Sequence, residues 1–226
     1  MDAKRDVNTC GSSGALHGIK HVSVLKTTMK RFSPNETEAM AAILKRDGCL
    51  SVPTDTVYGV CARISEAGQQ KLYEVKNRPL SKQFPIMCCD IEQAETVAEM
   101  DDAARQLMSA LMPGPLTVIL KKKADAPSAL HGETLAVRLA TSEPLRRLIQ
   151  AVGSPIFLTS ANQSGQKECQ SLDEIEQACP KLDGMMEGSV SFGQASTIVN
   201  CSNGSIRILR EGPITIEQIQ KAIGGK

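Results

Sequence analysis

The stretch from Cys49 to Cys89, CLSVPTDTVYGVCARISEAGQQKLYEVKNRPLSKQFPIMCC, constrains the fold of this chain more than any other. Leu50-Ser51-Val52 is a short apolar run suited to a buried strand, and Pro53 stops it because proline has no N–H to give to a ladder. Thr54-Asp55-Thr56 follows at once as a polar turn at the strand's end. Ser65 has the chemistry of a helix N-cap, and Leu72, Tyr73 and Val75 then recur at helical spacing. The helix ends at Lys76-Asn77-Arg78-Pro79. Pro79 excludes Arg78 from helical conformation, so Lys76 closes the helix and Arg78 starts an extended segment. Two cations placed across a helix end are able to converge on one anion. That geometry suits a phosphate, although no P-loop or dinucleotide fingerprint is present.

A chain of 226 residues is long enough for one sizeable core. Its 26 basic and 25 acidic residues nearly cancel, so total charge directs it neither to nucleic acid nor to a membrane, and any basic patch is local. With no Trp, two Tyr and four Phe, the core is aliphatic and a base-stacking platform is disfavoured. Eight cysteines occur as singles and the pair Cys88-Cys89, without a CxxC. Apolar neighbours around Cys49, Cys61, Cys88 and Cys89 suit buried thiols in a reducing compartment, and no metal ligand set is expected. No apolar run is long enough to span a bilayer.

Residues 1–20, rich in Gly, Ser and Asn, read as a disordered tail, and 21–226 as one domain. Asp2 and Asp6 beside Lys4 and Arg5 make a poor mitochondrial presequence. His21 to Lys26 alternates as a first strand. Ser33-Pro34-Asn35-Glu36 has the form of a capping box opening a helix to about Arg46, ended by Gly48. Phe84 to Cys89 reads as a strand, Asp90 to Glu99 and Asp101 to Leu111 as helices, and Pro113-Gly114-Pro115 as a break. Strands are expected at Leu116–Leu120 and Thr134–Leu139, a helix from Ser142 to Val152, and a strand from Pro155 to Thr159. A capping-box helix from Ser171 to Cys179, strands at Thr197–Cys201 and Ile206–Arg210, and a helix at Thr215–Ile223 complete the chain. Lys121-Lys122-Lys123 is a solvated strand end, with RNA contact as its alternative.

Strands and helices alternate without linker or repeat. The fold class is therefore α/β, one domain built on a twisted, mixed and largely parallel open sheet flanked by helices. The two closely spaced strands near the end suggest an antiparallel addition. Polar motifs recur where strands run out into loops, which is where open α/β sheets collect ligands.

PTDTVYG (53–59), Lys76-x-Arg78, PGPLTVIL (113–120), LAVRL (135–139), TSANQSG (159–165), STIVN (196–200) and ILREGP (208–213) occur in one order from Lys30 onward. In that order they resemble the Sua5/YrdC family, the threonylcarbamoyl-AMP synthases, in its single-domain YrdC form. The resemblance implies a YrdC/RibB-like fold. It also implies a site in which Thr56, Arg138 and Ser196 bind L-threonine, while Lys76, Arg78, Thr134, Ser160, Asn162 and Arg210 bind the nucleotide. Lys76 and Arg78 would carry the catalytic electrostatics.

Each residue also has a plainer reading. The Thr54–Thr56 segment suits an ordinary Asx or Ser/Thr turn, and Tyr58 a structural tyrosine. Lys76 and Arg78 suit a solvated surface, and SAN a simple turn. Arg138, in an apolar strand and facing the same way as Ala136, is costly without a partner. That partner is either a structural carboxylate or, by the resemblance, the substrate's. Arg210 is read either as a nucleotide contact or as a cap on the last strand. The chain departs from the family pattern at Thr159, where many members place Pro, in the Arg78–Pro85 segment with Lys82, and at Cys88-Cys89, where some carry a substrate-side His.

The resemblance implies that L-threonine, bicarbonate and ATP with Mg²⁺ give L-threonylcarbamoyladenylate and pyrophosphate in the cytoplasm, a mitochondrial pool being the variant. The product would pass to a tRNA threonylcarbamoyl-transfer complex acting on adenosine 37, with weak tRNA contact. The alternatives are a non-catalytic double-stranded RNA- or tRNA-binding module of the same fold, and a relative that transfers carbamoyl groups within a larger enzyme.

Overall fold

The computed structural model describes residues 29–190 and 194–224. In chain order its elements begin with β1 (Arg31–Phe32), α1 (Thr37–Lys45), β2 (Cys49–Val52), β3 (Gly59–Arg63), α2 (Glu66–Lys76) and β4 (Ile86–Cys88). Next come α3 (Ile91–Glu95), β5 (Ala98–Glu99), α4 (Asp102–Leu111), β6 (Leu116–Lys122), β7 (Thr134–Leu139) and α5 (Glu143–Val152). The chain then forms β8 (Ile156–Ser160), α6 (Leu172–Ala178), β9 (Gly184–Met186), β10 (Thr197–Asn200), β11 (Arg207–Arg210) and α7 (Ile216–Ala222). The expected tail and the strand at His21 to Lys26 lie outside the described residues.

All these strands join one sheet in the order β1-β9-β2-β3-β8-β4-β7-β6-β10-β11, with β5 added beside β6. The mixed, open α/β sheet flanked by helices is as expected, but its parallel share is smaller. Only β1/β9, β2/β9, β4/β7 and β6/β10 are parallel, and the remaining ladders are antiparallel. Loop length is the physical reason. Six residues (53–58) separate β2 from β3, too few for the dozen or so that a parallel crossover needs, so the chain turns back as a hairpin.

Local chemistry sets the element ends. Ser65, Asp90, Asp101, Ser142, Ser171 and Thr215 each accept a backbone N–H from the first turn of the helix they precede. The start expected at Ser33 does not form there. Ser33 and Glu36 make a turn in which the Glu36 carboxylate takes the Ser33 N–H at 2.8 Å, and the helix begins at Thr37. The helix expected over Asp90 to Glu99 stops at Glu95, because Ala98 and Glu99 leave it to pair with β6.

Alternation along the strands sends side chains to two cores. Cys49, Val60, Ala62, Ile86, Cys88, Phe157, Leu116 and Val118 face the layer of α2, α4, α6 and α7. Leu50, Val52, Cys61, Met87, Ile156 and Leu158 face α1 and α5, which pack on each other through Met40, Leu44, Leu145 and Leu148. The register carries this second face onward through Met87↔Arg138 to β7. Beyond that point α1 and α5 stop, and among the described residues no helix covers the face of β7, β6 and β10.

Candidate active site

The uncovered part of that face is the floor of a cleft. Ala136 and Arg138 of β7, Thr117 and Ile119 of β6 and Ile198 of β10 line it, as alternation requires. Thr54 and Thr56 from the β2–β3 loop, Ser160 at the end of β8, and Ser196 and Arg210 beside β10 and β11 form its walls. Counted with its open mouth the cleft measures about 830 Å³.

Arg138 is the central cation. Its Nη2 donates to Asp55 Oδ1 at 2.6 Å and its Nη1 to Thr56 Oγ1 at 3.1 Å, with both charged side chains about 10% exposed. The structural carboxylate weighed as the plainer partner is thus present, and it is Asp55. The pairing does not exhaust the fork: Arg138 Nε and Asp55 Oδ2 are both buried without a hydrogen-bond partner among the described residues. The loop that brings Asp55 there is fixed by Thr54, whose hydroxyl accepts from the N–H groups of Thr56 and Val57 and donates to Val57 O at 2.6 Å. Tyr58 is buried and donates to Gly188 O at 2.6 Å, the structural role.

Arg210 folds back onto the chain before β10, donating from Nε and Nη2 to Ser196 O at 3.0 and 2.7 Å. Burial first, and then the charge of Arg138, lowers its pKa. Two guanidinium groups therefore share one cleft. Ser196 Oγ lies 2.7 Å from Thr117 Oγ1.

Lys76 is 1% exposed and lies behind the Ser160 wall rather than in the cleft lining. Asn77 ends α2 in left-handed conformation, with φ 48°, and this turns the chain before Pro79. The Lys76 ammonium donates to Asn162 Oδ1 at 2.8 Å and to Ser160 O, while Ser160 Oγ donates to the same Asn162 oxygen at 2.7 Å. Burial brings its pKa down to about 8, and the nearby Arg78 charge adds to the effect. The Ser-x-Asn and Lys halves of the expected nucleotide site are thereby joined. Arg78 stands apart: its guanidinium donates to Lys82 O and Gln83 O at 3.0 and 2.8 Å and lies 4.9 Å over the Phe84 ring. Thr134, at the far end of β7, does not line the cleft.

Cys89 does not face the cleft. It lines a separate depression near Ile91 and Pro113, with Sγ 3.2 Å from Asp90 Oδ2, and burial pushes its thiol up to about 11. Cys88 points to the opposite core. The seven described cysteines are buried free thiols. Asp55 as the Arg138 partner, Thr117 and Glu168 are the site residues that the sequence reading did not single out. Thr117 carried a signal, since it is a polar residue in the apolar run LTVIL, as Arg138 is in LAVRL.

An open α/β sheet with a buried arginine, an exposed one, a buried lysine and a ring of hydroxyls at its strand ends has the make-up of a site for small anionic ligands. The chain belongs to the Sua5/YrdC family: residues 42–212 match the model of the Sua5, YciO and YrdC group, described as telomere recombination. It is 33% identical over 171 residues to a putative threonylcarbamoyl-AMP synthase of Methanocaldococcus jannaschii, covering 74% of this chain and 81% of that one. It is 36% identical over 194 residues to a threonylcarbamoyl-AMP synthase of Bacillus subtilis, covering 81% of this chain and 55% of the relative. The crystal structure of P. abyssi Sua5 complexed with L-threonine superposes with a TM-score of 0.80 at 28% identity, over 88% of this chain and 62% of that one. The chain thus spans little more than half of the longer relatives.

Proposed function

We propose that this protein is an L-threonylcarbamoyladenylate synthase, a nucleotidyltransferase that joins L-threonine, bicarbonate and ATP and releases pyrophosphate. The observation that carries the reading is the Arg138 fork, held by Asp55 and Thr56 with its Nε still free, in a cleft that also holds Arg210 and borders Lys76. Arg138 would take the threonine carboxylate, with Thr56 and Ser196 beside it. Lys76, Arg78, Thr134, Ser160, Asn162 and Arg210 would hold the nucleotide. Arg78 must then release its carbonyl partners or act from the rim.

The chemistry asks for no protein nucleophile. The threonine amine takes up carbon dioxide from bicarbonate, with loss of water, to give a carbamate. A carbamate oxygen then attacks the α-phosphorus of ATP, and the bond to pyrophosphate breaks. The protein contributes orientation, exclusion of water and positive charge where negative charge accumulates. Among the described residues Glu168 is the only carboxylate in the cleft lining, and no cluster of three or more His, Cys, Asp or Glu is placed to hold a metal. These residues do not make a dedicated cage, and on this reading Mg²⁺ would enter with the substrate as MgATP.

No helix among the described residues is long and apolar enough to cross a membrane. The buried free thiols suit a reducing, cytoplasmic setting. The adenylate would be consumed by a tRNA threonylcarbamoyl-transfer complex acting on adenosine 37. The test is to incubate the purified chain with labelled L-threonine, bicarbonate and MgATP and to resolve the products. A labelled adenylate formed without RNA supports the reading. Hydrolysis of ATP with no labelled product, or an absolute need for tRNA, overturns it.

A further inference from the structure

Thr117 is the one polar side chain of the PGPLTVIL strand on the cleft face, and nothing above gives it a task. It lies at the centre of the floor. The β6–β7 register, Val118↔Val137, places it directly across from Arg138, where paired side chains have Cβ atoms about 4.5–5.5 Å apart. On its other side, β10 brings Ile198 level with it and Ser196 to 2.7 Å.

The hydroxyl pair has a direction. Ser196 Oγ also lies 3.5 Å from Arg210 Nη2. Arginine is only a donor, and its positive charge turns the Ser196 proton away, toward Thr117 Oγ1. Thr117 then accepts from Ser196, and its own O–H has no protein acceptor among the described contacts. The Arg138 Nε–H is likewise free and buried. Two unsatisfied donors on adjacent strands, carried by side chains that line one cleft, match the two oxygens of a carboxylate. We propose that Thr117 is a further substrate-contacting residue, donating its hydroxyl hydrogen to the α-carboxylate of the amino-acid substrate beside Arg138. This rests on the synthase reading and sharpens it: Arg138 and Thr117 together form the carboxylate subsite, and Ser196 and Arg210 set the Thr117 proton.

The test compares the full chain with Thr117→Val, which keeps the shape and removes the hydroxyl, and Thr117→Ser, which keeps the hydroxyl. Binding of labelled L-threonine by equilibrium dialysis, the KM for ATP and the melting temperature are measured for each. Loss of a hydrogen bond to a charged group predicts that Thr117→Val binds threonine about tenfold or more weakly. Thr117→Ser should stay within about twofold of wild type, with the KM for ATP unchanged in both and melting retained. Threonine binding by Thr117→Val within twofold of wild type overturns the assignment. So does a Thr117→Ser as weak as Thr117→Val, because packing rather than the hydroxyl would then be responsible, and so does an equal loss toward ATP. Wild-type protein that binds no threonine at all would remove the synthase reading itself, a result distinct from the others.

Discussion

One face of one sheet behaves in two ways. Over β2, β3, β8 and β4 it is closed by α1 and α5, and its side chains are Leu50, Val52, Cys61, Met87 and Ile156, each buried and apolar. Over β7, β6 and β10 the same alternation continues, but there Arg138, Thr117 and, at the edge, Ser196 stand among the apolar Ala136, Ile119 and Ile198. The strand geometry is the same in both halves. What differs is whether a helix layer supplies partners. Where it does, only apolar packing is tolerated; where it stops, polar groups at the strand ends keep donors free for a ligand. On the proposed reading, the covered half stabilises the site and the open half carries the chemistry.

The largest effect that would break this contrast lies in the covered half. Leu148→Ala removes a fully buried side chain of α5 and should cost about 2–5 kcal/mol of stability. Threonine and ATP affinities of the folded fraction should be unchanged. Denaturant unfolding beside equilibrium dialysis checks both, and a large loss of affinity would show that the two halves are not separable.

Arg138→Ala attacks the open half. Loss of charge-assisted hydrogen bonds of about 1.5–3 kcal/mol predicts roughly ten- to hundredfold weaker use of threonine, with ATP affinity much less affected. It also leaves Asp55 buried and unpaired, so stability should fall as well. Asp55→Asn combined with Arg138→Ala should recover part of that stability in melting measurements but none of the threonine affinity.

Lys76 supplies a pH signature. Its folded pKa is lowered to about 8 from the ordinary 10.5, so the unfolded chain holds the proton over a range where the native chain has lost it. Stability from this group therefore rises with pH between about 8 and 10.5 and is lowest below 8. If the charged ammonium holds nucleotide, affinity for a non-hydrolysable ATP analogue should fall as pH passes about 8. Lys76→Arg should flatten that fall, and a wild-type affinity independent of pH from 7 to 9.5 would dissociate Lys76 from the phosphates.

The smallest effect is expected at Cys89, which lies off the cleft. Cys89→Ala should cost about 1 kcal/mol or less and leave turnover intact. Complete loss of turnover in a folded variant would place its thiol in the mechanism.

Much of this layout was legible in the sequence, for local reasons. Ser65, Asp101, Ser142 and Thr215 announce their helices, because a cap is read within four residues. Arg138 in LAVRL announces a polar site, because a charge in an apolar strand needs a partner. The strand Gly59–Arg63 is not legible in the sequence: Gly59 and Ala62 weaken its pattern, and it is paired as a hairpin only through the six-residue return from β2. Gly184–Met186 was missed because no residue in it favours strand, and its place between β1 and β2 comes from tertiary pairing. The choice of Asp55 as the Arg138 partner spans 83 residues, and no local pattern encodes it. Lys76 was legible as a helix-end cation suited to phosphate, with a solvated surface charge as its plainer reading; its burial against Ser160 and Asn162 depends on how α2 docks beside β8.

The division of the sheet face is tested most directly by a crystal structure of the chain with L-threonine and a non-hydrolysable ATP analogue. The account predicts the threonine carboxylate against Arg138 on the uncovered floor of β6 and β7, with the phosphates toward Lys76, Ser160 and Arg210. Threonine bound anywhere else, or a nucleotide that leaves the Arg138 cleft empty of both ligands, would contradict it.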